Sequence, residues 1–177
     1  MNDTFILPPR PGGDQTLKRR LLKKVRLVFG EVPPHYALLA EIDPALLAGF
    51  VDGVLRLIRH KTIHPDYFGF LRLFVARKKN FSYCVEFNTR LLLRRGYDKQ
   101  TVKAAGLDMD RIPFDERLRL LGRATMKAVF AGNGFTEQDF EELYAAGWSG
   151  RDIWDSFDHA ATMLKNGPLL AAYLQKD

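Results

Sequence analysis

The segment "PDYFGFLRLFVARKK", residues 65–79, most constrains what this chain can fold into. It opens on a proline, which suits the first turn of a helix, and closes on Arg77, Lys78 and Lys79, cations suited to a helix C-terminus. Between them, apolar residues cover most of a helix's circumference, so the segment has to be buried from several sides. "LLAGFVDGVLRLI", residues 46–58, makes the same demand. Such helices require a crowded bundle, and apolar surface left over in one commonly becomes a subunit interface.

The punctuation between segments is helical as well. Asp43 followed by Pro44 is an N-cap with a first-turn proline. Ser82 is placed to cap "YCVEFNTRLLLRR", and Gly96 to close it in the left-handed conformation. Asp98 caps "KQTVKAAG", and Pro113 is expected to start "FDERLRLLGRATMKAVFAG". Thr136 with Asp139, and Ser149 with Asp152, form shortened capping boxes. The β-branched residues are scattered and no apolar–polar alternation lasts, which argues against strands. The expected fold is therefore all-α, a multi-helix bundle in a single domain over residues 14–177. An N-terminal arm, residues 1–13, precedes it; Pro8, Pro9, Pro11, Gly12 and Gly13 give it little to pack. "GYDKQTV", "GFTEQDF" and "GWSGRDI" each set Gly, an aromatic and then a capping residue ahead of a helix, a weak internal echo that fits either a duplicated hairpin or a recurring turn.

Charge and length bound the function. The 177 residues suit one compact domain, and charges interrupt every apolar run before it is long enough to span a bilayer. No signal peptide is read at the start, and a single cysteine, which cannot form an internal disulfide, fits a reducing cytoplasm. The net charge of +6 is concentrated in "LKRRLLKKVR", residues 17–26, a basic amphipathic helix. One reading is an adaptor for nucleic acid or an acidic partner; no stacking-aromatic or zinc motif accompanies it, and a solvated surface helix is the plainer expectation.

The one cysteine, Cys84, falls in the first turn of the helix that Ser82 is expected to cap. Unpaired backbone N–H groups and the positive dipole end there favour a thiolate. Residues 65–106, from "PDYFGFLRLFVARKKNFSYCVEFN" onward, resemble the core of the carboxymuconolactone decarboxylase and alkylhydroperoxidase D-like family, and "GEVPPHYALLAEIDPALLAGF" and "LYAAGWSGRDIWDSFDHAATMLKNGPLL" resemble the segments that flank it in peroxidase-related members. The resemblance implies an alkylhydroperoxidase D-like bundle, hydroperoxide reductase (peroxiredoxin-type) activity and self-assembly as a trimer or larger ring. Redox members of the family carry a glutamate on the preceding helix, a Cys-x-x-Cys and a histidine four residues beyond. The second cysteine attacks the peroxide, the first resolves the sulfenic acid, and the glutamate and histidine relay protons. Laid on this chain, the second cysteine is Cys84, but the first falls on Phe81, the histidine on Asn88 and the glutamate on Gly69. The decarboxylases' histidine falls on Asn88 too, so that chemistry is not supported.

The family activity is thus expected to be weak or lost. Any surviving thiol chemistry would use Cys84 alone, with an external thiol as reductant. The alternative is a non-catalytic member binding a small apolar ligand or a protein in a cleft formed by Phe81, Ser82, Tyr83 and Asn88. Glu86, two residues along the helix, points about 160° away from Cys84 and is no substitute base. His35, His60, His64 and His159 are read as having no catalytic duty: His60 and His64 as solvated turn residues, His159 as facing a partner helix. Trp148 is expected beside a helix cap and Trp154 in the core or an interface. With no ligand spacing among the histidines and the cysteine, neither a metal nor a cofactor is expected.

Overall fold

The structure, a computed structural model, describes residues 5–7, 12–131 and 134–174. Those residues form nine α-helices and no strand: α1 (Gln15–Phe29), α2 (Pro34–Ile42), α3 (Pro44–Ile58), α4 (Pro65–Lys78), α5 (Ser82–Arg94), α6 (Lys99–Ala105), α7 (Glu116–Phe130), α8 (Glu137–Ala145) and α9 (Gly150–Ala171). A single turn of 3₁₀ helix, Met109–Arg111, lies between α6 and α7. The all-α expectation holds. The chain divides into two compact units, residues 1–59 with 169–177, and residues 60–168.

In the first unit α1, α2 and α3 enclose Leu21, Val25, Tyr36, Ala40, Leu47 and Val51. Tyr36 anchors this core, with Phe50 edge-on at 5.6 Å and Phe29 at 5.3 Å. Asp14 caps α1 by accepting the amides of Thr16 and Leu17, and Gly30 ends it at φ 77°. Lys18 reaches Glu41 at 2.6 Å. Most of the arm, residues 1–4 and 8–11, lies outside the described residues. Phe5, within it, is buried and makes an isolated antiparallel bridge with Leu174.

The second unit is organised around α4. Tyr67, Phe68, Gly69, Phe70, Leu71, Leu73, Val75 and Ala76 are all buried, as a helix apolar on every side requires. His64 caps α4, its Nδ1 accepting the amide of Asp66. The helix ends in a Schellman motif: Asn80 takes the left-handed conformation at φ 55°, its amide donates to Arg77 O at 3.1 Å, and the Phe81 amide donates to Ala76 O at 2.9 Å. Phe81 is also the N-cap residue of α5, so two residues, Lys79 and Asn80, turn the chain from one helix into the next.

Two boundaries differ from the sequence reading. The N-cap of α5 is Phe81, without a side-chain acceptor, and Ser82 is its first helical residue; the tight Schellman turn advances the helix by one position. Pro113 does not begin α7, because Asp115 accepts the Leu118 amide and starts the helix at Glu116. The other caps stand: Asp98, the full Thr136–Asp139 box, and the reciprocal Ser149–Asp152 pair. In the sequence echo, Gly96 and Gly147 share a positive φ (95° and 81°) and Gly134 does not, so the echo does not correspond to one repeated turn.

A buried hydroxyl chain ties α9 to α4 and α7. Tyr67 Oη lies 2.7 Å from Ser156 Oγ, which lies 2.7 Å from Thr125 Oγ1, which donates to Leu121 O at 2.7 Å. Because Thr125 gives its only proton to the carbonyl, Ser156 must donate to Thr125 and Tyr67 to Ser156. Burial pushes the Tyr67 phenol up to about 12, against the opposing pull of those hydroxyls.

The turn at Asn80 sets where α5 begins. Asn80→Gly is expected to leave stability within about 0.5 kcal/mol, whereas Asn80→Ile should cost about 1–2 kcal/mol in urea unfolding, since a β-branched residue resists the left-handed region.

Candidate functional site around Cys84

The helices α4, α5 and α9 supply the residues around the thiol. Cys84 is the third residue of α5 and only 6% exposed. Its position at the helix start led to the expectation of a thiolate; the structure corrects this. Burial pushes the thiol from an ordinary 9.0 up to about 11, and the nearby Arg72 guanidinium, which pulls the other way, does not compensate.

Phe81, Gly69 and Asn88, the positions singled out by the resemblance, each have a defined packing or hydrogen-bonding role. Phe81 seats its ring against α9 at Gly167, where a Cβ would lie 2.1 Å from ring Cε2. Gly69 faces Leu92: a Cβ there would lie 3.1 Å from Leu92 Cδ2 and 3.8 Å from Arg72 Nη2. A glutamate at 69 therefore requires Leu92 to move. Asn88 is buried and engaged at both ends of its amide. Its Nδ2 donates to Cys84 O at 2.8 Å, and its Oδ1 accepts from Arg72 Nε at 2.8 Å. Tyr83 is buried and stacks on Phe87 at 6.3 Å, while Ser82 is exposed. Glu86 points to the outer face, 3.7 Å from Arg90.

The arrangement contains two residues the sequence reading did not assign to it. Arg72 Nη1 lies 3.0 Å from His159 Nε2. Arginine carries only donors, so His159 accepts at Nε2 and holds its proton on Nδ1. Its ring meets Phe68 edge-on at 5.3 Å. Arg72 thus joins α5, through Asn88, to α9, through His159. The available signal was Arg72 itself, a single charge inside an otherwise apolar stretch, since buried charge has to be paired.

His60 is a further correction, because it is not a solvated turn residue. Its side chain is 9% exposed, and Nδ1 accepts the amides of Thr62 (3.3 Å) and Ile63 (3.1 Å). The proton therefore sits on Nε2, facing Asp152 at 3.7 Å and Asp155 at 3.5 Å. Burial would raise the Asp152 carboxyl, but hydrogen bonds from Ser149 and Thr62, with His60 nearby, hold it below the usual value. Asp155 also accepts from Arg151 Nε at 2.9 Å. This cluster pins the turn before α4 onto the first turns of α9. His35 is buried too, 4.4 Å from the Tyr36 ring, whereas His64 is exposed at its cap. Trp148 is buried against the guanidinium of Arg117 at 3.7 Å, and Trp154 is 65% exposed rather than in the core. Among the described residues no group of His, Cys, Asp and Glu is arranged to hold a metal, and no helix is long and apolar enough to cross a membrane.

This arrangement of helices is the all-α fold of the alkylhydroperoxidase AhpD core. The chain is similar to an uncharacterized peroxidase-related protein from Silicibacter sp. TM1040, with a TM-score of 0.79 at 17% identity over 100% of this chain and 93% of that one. It is also similar to an alkylhydroperoxidase AhpD core protein, an uncharacterized peroxidase-related protein from Ralstonia eutropha JMP134, with a TM-score of 0.75 at 18% identity over 94% of this chain and 88% of the other. Neither a protein-family model nor a curated protein sequence matches the chain.

Because the folded protein holds the Cys84 proton more tightly than the unfolded chain, its stabilising effect is complete below pH 9 and disappears as pH rises to about 11. The stability of the wild type relative to Cys84→Ala should fall across that window by on the order of 2 kcal/mol. Alkylation of native Cys84 should accelerate about tenfold per pH unit between pH 7 and 10; a rate already at plateau at pH 8 would show a thiolate.

Proposed function

We propose that this chain carries the alkylhydroperoxidase scaffold without its two-cysteine cycle, and that it reduces hydroperoxides only slowly, through Cys84 alone. The observation that carries this reading is the buried thiol, raised to about 11, in a chain with no second cysteine. Near pH 7 a thiol with that value is ionised in about one molecule in ten thousand.

In the proposed reaction the Cys84 sulfur attacks the distal oxygen of the hydroperoxide. The O–O bond breaks, the departing oxygen leaves as alcohol or water with the thiol's proton, and the sulfur becomes a sulfenic acid. An external low-molecular-weight thiol then displaces water to give a mixed disulfide. A second thiol releases Cys84 and the external disulfide, so two thiols are oxidised for each hydroperoxide reduced. A reducing cytoplasm supplies such a thiol. Arg72 is the cation placed to favour the thiolate in the attacking state, and Asn88 orients it. The cleft-binding reading is less well supported, because the Asn88 amide expected to meet a ligand is already engaged by Cys84 O and Arg72 Nε.

With hydrogen peroxide and excess dithiothreitol, turnover is expected to be slow, to rise about tenfold from pH 7 to pH 8, and to vanish in Cys84→Ser. Equal turnover by the serine variant would end this reading. Arg72→Met should slow the thiol reaction about tenfold, and unchanged reactivity in a folded variant would remove the arginine from it.

A further inference from the structure

The helix α1 carries six cations and no acidic residue. Its buried residues, Leu21 and Val25, fix which side faces the core of the first unit. Arg19, Arg20, Lys23 and Arg26 are all exposed and fall within about 120° of arc on the opposite side, at 3.6 residues per turn. Leu27, the one large apolar side chain among them, is 78% exposed. Lys18 and Lys24 flank this strip, and both are matched within the unit, Lys18 by Glu41 at 2.6 Å and Lys24 by Asp52 at 3.7 Å. Among the described residues the four cations of the strip have no acidic partner. They also neighbour one another, Arg19 with Lys23 at i,i+4 and Lys23 with Arg26 at i,i+3, spacings at which like charges weaken a helix. The fold pairs the flanking lysines and leaves the centre unmatched, so α1 presents a concentrated positive field to solvent.

The composition of the strip selects its partner. A helix that binds an anionic membrane buries its apolar face in the interface, but the apolar face of α1 is turned inward at Leu21 and Val25. A protein partner needs a cluster of aromatic or apolar anchors, and Leu27 stands alone. A single strand of nucleic acid is held by aromatic side chains on which its bases stack, and no aromatic residue lies in the strip. The phosphate backbone of a duplex needs none of these, because cations alone hold it. From Arg19 to Arg26 the strip runs about 10 Å along the helix, against a rise of about 3.4 Å per phosphate along one strand of DNA. Three of its four cations are guanidiniums, whose fork of donors matches phosphate oxygens. Duplex RNA is recognised through its 2′-hydroxyls as well, and these four donor-only side chains cannot accept from a hydroxyl.

We propose that Arg19, Arg20, Lys23 and Arg26 on the exposed face of α1 bind the phosphate backbone of double-stranded DNA without regard to base sequence. Affinity comes from the release of counterions, so binding is weak and falls steeply as salt rises. The strip lies in the first unit and Cys84 in the second, so DNA binding and the peroxide reaction stand or fall separately.

The anisotropy of a fluorescein-labelled DNA duplex of about 24 base pairs is followed on titration with nucleic-acid-free full chain, in salt between about 20 and 200 mM. With four contacts, the logarithm of the association constant should fall against the logarithm of salt with a slope of about −3 to −4. Arg19→Ala with Arg26→Ala should reduce that slope by about two and weaken binding at least about tenfold in low salt, and Arg20→Ala with Lys23→Ala should do the same. Arg19→Lys with Arg26→Lys should keep the slope to within about one-half. Lys78→Ala with Lys79→Ala removes the same charge at the end of α4 and should also leave the slope within about one-half. Circular dichroism serves to confirm that each variant is folded. Duplexes of two unrelated sequences should bind within about threefold of each other. No binding in low salt overturns the proposal, as does a slope that survives both alanine pairs. A slope reduced equally by loss of Lys78 and Lys79 overturns it too, by tracing the binding to net charge. Tighter binding to an RNA duplex, or to phosphatidylserine vesicles with no binding to the DNA duplex, overturns it in favour of that partner.

Discussion

Arg72 is the charge on which the interior of the second unit depends. α4 is buried along nearly its whole length, and a guanidinium leaving such a helix has to find acceptors inside the protein. It finds Asn88 Oδ1 on α5 and His159 Nε2 on α9, so one side chain fixes the spacing of three helices and the tautomer of a histidine. The same requirement gives Asn88 its role. An amide in that place accepts from Arg72 on one side and donates to the Cys84 carbonyl on the other, whereas an imidazolium would set two cations against each other.

The chemistry of Cys84 follows from the balance of two effects that act on the same sulfur. A helix start and a nearby arginine favour the thiolate, and loss of water disfavours it. Desolvation wins because Cys84 is buried almost completely in the folded chain. A position that would activate an exposed thiol therefore leaves this one protonated, and backbone geometry alone is a poor guide to reactivity.

Much of the fold was legible in the chain because helix ends are written locally. Asp43–Pro44, Asp98, Thr136–Asp139 and Ser149–Asp152 act within a few residues of themselves, and all hold. Ser82 and Pro113 misled where a second local device, the Schellman turn at Asn80 or the cap at Asp115, took precedence. The position of Cys84 in the first turn of α5 was legible; the company around it was not. Arg72 and His159 are separated by 87 residues, and Thr62 and Asp152 by 90. Such pairs have no spacing to recognise, so His60 and His159 looked idle until the fold brought α9 alongside α4.

The contact between Phe81 and Gly167 limits how this site can change. The ring fills the space that a β-carbon on α9 would need, so each residue now enforces the other. A single change of Phe81 to cysteine would add a thiol and open a cavity at the same stroke, at a stability loss of about 3 kcal/mol. Enlarging Gly167 first is blocked by the ring. A second thiol at residue 81 can therefore enter only at the expense of packing, and the two positions can change only together: the contact works as a ratchet.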